Sequence, residues 1–399
     1  MNRQPYTTPP RHWEPCLTPW WINVCRPFRA RILRKKQRMR SIEVQGKIHI
    51  QKPLQEGAGI LITPNHSFHY DAVVLWEVAH RVGRMFHFMT AWQVFAMSNR
   101  FDRWSMQRHG CFSIDRESND MSAFRQAVSI LQNSPYPLVV FPEGDVYHSN
   151  DRVTPFREGA AAMALSAAKR AKRKIVCVPC ALKCWYTEDP TPQLLILLDQ
   201  LEHRLMWKPR ADLPIRERVY RIAEGIMSLK EIEYLGKSRA GTLAERQSYL
   251  ADFLLARMEK YYSLRQPPEK IPERVRELRR IIIQRLGQEK LDRNEQEYAR
   301  AFMEDLFLVI QLYSYPSDYM RQAKSIERIA ETLDKFEEDI LQRDLPSVRG
   351  SRRVVVRFGE PIELPKERQK KDAIPRITLQ FQNSVQKLLD EILAERHGA

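Results

Sequence analysis

The sequence predicts an α/β fold: a layered sheet with flanking helices, interrupted by an all-helical insertion. Two observations carry this. Short apolar runs, each closed by Pro, Gly or Asp, alternate with segments of helical period. From about Pro214 to Leu345 the strand pattern disappears and charged sequence of helical period replaces it, until Val354-Val355-Val356 restores β-character. A chain of 399 residues leaves room for two to three domains at about 150 residues each.

Taken in order, residues 1–40 form a basic amphipathic arm. Ser41–Ile50 alternates around Gly46 and reads as a short hairpin. Gly59–Thr63, closed by Pro64, is a buried strand, and Asp71–Val82 a helix. Phe86–Met89 reads as a strand, followed by helical stretches through Arg108. Cys111–Asp115 is a strand. Ser118–Gln132 places Met121, Phe124, Val128 and Leu131 on one helical face, with Ser118 or Asn119 as cap. Leu138–Phe141 is a short strand and Glu158–Lys174 an Ala-rich helix able to approach a sheet closely. Ile175–Ala181, Leu194–Leu198 and Arg353–Phe358 are further strands, and Ala373–Arg396 a closing helix. The domains that follow are 1–40 (arm), 41–200 (α/β core), 201–350 (about five helices, punctuated by Pro267-Pro268, Pro272 and Pro316) and 351–399 (final strand and helix).

With 43% hydrophobic and 29% charged residues, the chain is neither disordered nor a multi-span membrane protein. No stretch reaches the roughly 18 apolar residues of a membrane span; Met85–Asn99 falls short. The basic run follows the apolar segment at the N-terminus, the reverse of a secretory signal, so the sequon Asn65-His66-Ser67 is a chance match. Six cysteines without an export signal do not make a disulfide framework. The net charge of +16 points to anionic partners: nucleic acid, phospholipid headgroups or phosphorylated co-substrates. Arg26–Arg40 carries eight basic residues and no acid, and Trp20, Val24, Phe28 and Ile32 recur every fourth residue beside it. That is the pattern of a helix lying on an anionic bilayer, broken in two by Pro27. A solvated or nucleic-acid-binding arm is the alternative.

Three polar clusters follow three predicted strands: Asn65-His66-Ser67-Phe68-His69-Tyr70-Asp71, Ile114-Asp115-Arg116 and Phe141-Pro142-Glu143-Gly144. Ligands of open α/β sheets gather at the carboxyl ends of strands, so parallel strands would bring these clusters together. If His66 lies in the strand-to-helix turn, Asp71 can reach back to its imidazole and free the other ring nitrogen to take a hydroxyl proton. No Gly-x-Ser-x-Gly elbow marks a serine nucleophile, so such a pair suits direct attack by a substrate hydroxyl on an activated acyl group.

Together these blocks resemble the glycerolipid acyltransferase family, which contains 1-acylglycerol-3-phosphate acyltransferase. The resemblance spans about Ile42 to Ala181, plus Val354–Ile362. Asn65, His66 and Asp71 match the family's Asn-His-x4-Asp block. Gly110 through Asp115 and Arg116 match the second block, and Phe141 to Gly144 the third. Phe156 to Ala160, Ile175–Pro179 and Phe358 to Ile362 match further segments. The resemblance implies a phospholipid-synthesis acyltransferase at the cytoplasmic face of a membrane. It would use acyl-coenzyme A or acyl carrier protein as donor, a lyso-lipid or glycerol-phosphate-type acceptor, and no cofactor. His66 would be the general base and Asp71 its orienting partner. Asn65 belongs to the same block. Arg116 would contact an anionic headgroup, Glu143 and Gly144 would shape the acceptor pocket, and Pro179 the acyl side. One departure stands out: where the family continues Thr-Arg-Ser, Gly144 is followed by Asp145-Val146-Tyr147, which removes a headgroup arginine and adds an acid. Arg152 or Arg157 could reach in to replace it. With these motifs, nucleic acid falls behind bilayer and acyl donor as a partner.

Other features read as structural. Gly236-Lys237-Ser238 mimics a phosphate loop but lacks its first glycine. Cys177, Cys180 and Cys184 suggest a metal cluster but read better as buried thiols. A metal-dependent hydrolase built on His66, His69 and Asp71, with His148, and a non-catalytic basic module are the two competing functions.

Overall fold

A computed structural model describes residues 6–287, 292–315, 325–367 and 372–397. Pro316 lies outside them. The structure divides into two compact units: Arg11–Asp189 with Ser347 onward, and Pro190–Pro346 with residues 6–10.

The first unit is a mixed α/β layer built on an eight-stranded sheet. Its strands are β1 (Met39–Gln45), β2 (Gly59–Pro64), β3 (His87–Ala91), β4 (Cys111–Ile114), β5 (Leu138–Val139), β6 (Ile175–Tyr186), β7 (Arg352–Phe358) and β8 (Ile362–Glu363). The order is β1-β7-β6-β2-β5-β3-β4, with β8 on β6. β6, β2, β5, β3 and β4 run parallel; β7 returns antiparallel to β6 and pairs in parallel with β1. The carboxyl ends of β2, β4 and β5 therefore lie along one edge, the alignment that convergence of the three blocks requires.

Helices cover both faces. Along β2, Leu61 packs into one core with α6 (Met121–Asn133), α7 (Gly159–Arg170) and α14 (Ala373–His397). Ile60 and Ile62 point to the other, with α3 (Asp71–Val82) and α4 (Trp92–Met97). Burial on both faces is why this strand reads as an unbroken apolar run. On α7 the buried residues are five alanines besides Met163, so the helix lies close to its neighbours.

Several local expectations are corrected. Ser41–Ile50 is not a hairpin: β1 is followed by α2 (Ile48–Gln55). Gly46 makes the turn at φ +64°, where a Cβ would lie 2.2 Å from the Phe358 carbonyl oxygen. Leu194–Leu198 is helix, inside α8 (Thr191–Arg204), with Leu194, Leu197, Leu198 and Leu201 buried on one face; a short apolar run does not distinguish strand from helix. The cap of α6 is Asp120, accepting from the N–H groups of Ser122 and Ala123. Pro27 does not divide the arm. Helix α1 (Pro19–Arg31) runs through it into a π-helical turn at Ile32–Lys36.

The basic segment is also less free than its composition suggests. Trp13 is buried, stacks on Phe95 at 5.3 Å and exchanges hydrogen bonds with Ser113. Arg29 is buried against the Ile22 carbonyl and His109, and Arg26 pairs with Glu77.

The second unit is helical: α8, α9 (Ile215–Leu235), α10 (Leu243–Tyr261), α11 (Ile271–Leu286), α12 (Arg293–Ser314) and α13 (Ile326–Leu341). Gly236 is the left-handed cap of α9, not part of a phosphate loop.

Candidate active site

β2 ends at Pro64, and the turn to α3 presents Asn65, His66 and Ser67. Asp71 opens α3 and is buried. Its Oδ2 accepts from the backbone N–H groups of Ser67 (2.8 Å) and Phe68 (2.9 Å) and lies 3.0 Å from His66 Nδ1. The Asp71 carboxylate thus sits at a helix N-terminus and accepts from two backbone amides. That carboxylate selects the imidazole tautomer with Nδ1 protonated and Nε2 carrying the lone pair.

Asn65 holds the turn to the sheet. Its Nδ2 donates to the Leu182 carbonyl (3.0 Å) and to Ser67 Oγ (2.8 Å), while its Oδ1 accepts from Leu182 N–H (2.7 Å). Asn150 repeats this on Cys184, donating to its carbonyl (2.6 Å) and accepting from its N–H (2.9 Å). Two asparagine side chains thus stand in for a neighbouring strand along β6, past Cys180, where its pairing with β2 ends. Ser67 Oγ donates to the Ser149 carbonyl, joining the two turns. Lys183 and Asp151 form a buried ion pair beside them.

The third block closes over the first. The Phe141 ring stacks on the His66 imidazole, centroids 4.1 Å apart. Glu143 Oε1 accepts from the His66 backbone N–H at 2.7 Å, and Oε2 accepts from Thr154 N–H at 3.0 Å and from its hydroxyl. Burial pushes the Glu143 carboxyl up to about 7, against these donors, which favour the charged form. Arg116 Nη1 donates to Asp145 Oδ1 (2.6 Å) and to the Gly144 carbonyl (2.5 Å), and Arg157 Nη2 lies 3.5 Å from Asp145 Oδ2.

So Asn65, His66, Asp71, Glu143, Gly144, Arg116 and Arg157 form one connected network. Pro179 lies opposite Thr63 in the β2–β6 pairing and lines a cavity of about 1050 Å³ with Gly46, His49, Phe358 and Gly359. Thr154 and Asn150 were not singled out by the sequence; each acts through a contact made by a returning loop, with no local signature. His66 Nδ1 contacts Asp71, and the His69 ring faces the His148 ring at 5.3 Å. Cys177 and Cys180 face opposite cores as free thiols, and burial pushes the Cys177 thiol up to about 12.

Residues 41–183 match the model of the acyltransferase family. The chain carries an acyltransferase domain. That domain is of the glycerolipid acyltransferase type, and acyl transfer is the activity it supports. No curated protein matches the chain. The matched segment runs from within β1 through most of β6 and takes in every residue of the network above.

Proposed function

We propose that this acyltransferase moves a fatty acyl group from an acyl thioester, on coenzyme A or acyl carrier protein, to a hydroxyl of a lyso-lipid or glycerol-phosphate-type acceptor. The observation that carries the reading is the 3.0 Å contact of His66 Nδ1 with an Asp71 oxygen already held by two backbone amides. Nε2 takes the acceptor O–H proton as the oxygen attacks the thioester carbonyl. The C–S bond breaks, and the proton passes to the departing thiolate. Such base catalysis is worth roughly 10²–10⁴-fold. His66→Ala should lower acceptor-dependent thiol release from acyl-coenzyme A by that factor with the folded state retained. Full transfer by this variant would eliminate the mechanism. Repeating the assay with acyl carrier protein thioesters identifies the donor.

We further propose that the protein works as a peripheral protein on an anionic, cytoplasmic membrane face. No helix among the described residues is long and apolar enough to cross a membrane. On α1, Trp20, Val24 and Phe28 are exposed, and Trp21 meets the rings of Trp104 (4.7 Å) and Phe101 (6.0 Å) on α5 (Arg100–Arg108) edge-on. Phe101 and Trp104 are exposed too, so two elements contribute to one aromatic surface. Arg31, Arg34, Lys35 and Lys36 are exposed at the end of the same arm. Apolar insertion with basic flanks suits an anionic bilayer. Flotation with vesicles containing phosphatidylglycerol should fall sharply for the double variant Trp20→Ser, Phe28→Ser. Unchanged flotation would remove this surface from consideration.

A further inference from the structure

The acceptor end of the site contains its own anion. Asp145 lies between two guanidinium groups, 2.6 Å from Arg116 and 3.5 Å from Arg157. The turn that carries it is fixed. Gly144 has φ +82°, and a Cβ there would sit 2.4 Å from Arg157 Nε, so only glycine leaves room for that side chain. Arg157 N–H donates to the Pro142 carbonyl at 2.8 Å, and Arg116 caps the Gly144 carbonyl. The preceding residue, Glu143, holds the His66 backbone, so the cluster is tied to the catalytic turn. All three side chains keep some solvent access: 12% for Arg116, 24% for Asp145 and 28% for Arg157.

Resting on the acyltransferase reading above, we propose that Asp145 sets acceptor choice. It occupies guanidinium positions that a phosphomonoester would need, and it selects lyso-lipids whose headgroup is a monoanionic phosphodiester. A phosphomonoester is close to dianionic above its second pKa of about 6 and would meet the Asp145 carboxylate. A phosphodiester carries one negative charge fewer and leaves the Arg116–Asp145 pair intact. Like charges brought together in a binding site are strongly discriminated against.

The test uses the full chain, acyl-coenzyme A and three acceptors that share one oleoyl chain: the glycerol 3-phosphate monoester, the glycerophosphoglycerol diester and neutral monooleoylglycerol. The diester should exceed the other two by about tenfold or more in kcat/KM. Asp145→Asn and Asp145→Ser should each raise the monoester-to-diester ratio by about tenfold. In the wild-type protein the same ratio should climb as pH falls through about 6, because only the monoester loses a charge there. That measurement needs no variant, so poor folding of a substitution does not decide the matter. A ratio unmoved by both substitutions and by pH, or preference for the neutral acceptor, overturns the proposal while leaving acyl transfer standing. No thiol release with any acceptor overturns the acyltransferase reading and this proposal with it.

Discussion

The two units use charge in opposite ways. In the helical unit, guanidiniums are closed off between helices. Arg246 of α10 is buried and reaches Glu231 (2.7 Å) and Glu224 (2.6 Å) of α9, while Arg218 of α9 reaches Glu202 (2.6 Å) and Asp199 (2.5 Å) of α8. Glu231 and Glu202 are fully buried. In the sheet unit, Arg116, Asp145 and Arg157 gather near the ends of parallel strands and stay partly open to solvent, although Lys183 and Asp151 are sealed together there as well. The same residue types are sealed between helices in one unit and line the proposed site in the other. The separating feature is geometry: charge sealed between helices has no access to a ligand, whereas charge at strand ends does.

Substitutions can break or sharpen that contrast. His66→Ala is expected to cost rate without stability; Arg246→Ala should do the reverse. Removing Arg246 takes the side-chain partner from buried Glu231 and leaves it the Arg239 N–H at 3.0 Å, at a cost of about 3 kcal/mol, the low end for a broken buried pair, read as a lower denaturant midpoint. A loss under about 1 kcal/mol, the range of exposed pairs, would place that pair with surface ion pairs instead.

Glu143 gives a smaller, pH-dependent effect. Its carboxyl is raised from 4.5 to about 7. Between those values the folded protein keeps a proton that the unfolded chain has released. This group's contribution to stability is therefore full below about 4.5 and declines as pH rises toward about 7, by about 3 kcal/mol at most. Glu143→Gln keeps an acceptor for the His66 N–H and should flatten that part of the stability profile. An unaltered slope in the variant would assign the pH dependence to another group.

Much of the sheet could be read in advance, since Gly59–Thr63, Cys111–Asp115 and Arg353–Phe358 are apolar runs whose burial on two faces leaves a mark in one dimension. Leu194–Leu198 has the same local pattern and is helical, because its leucines bury one face of α8. Gly46 was legible as a turn, but its partner, the Phe358 carbonyl, lies far along the chain, so a strand-to-helix turn looked like a hairpin.

The site divides in the same manner. Asn65, His66 and Asp71 lie within seven consecutive residues, and a strand-to-helix turn is enough to bring imidazole and carboxylate together; sequence alone determined that pair. The Asn150 clamp on β6, the Thr154 contacts to Glu143 and the placement of Asp145 between Arg116 and Arg157 were decided by tertiary structure. Each joins separate elements or a loop that folds back on itself, and short-range periodicity carries no information about where such loops return.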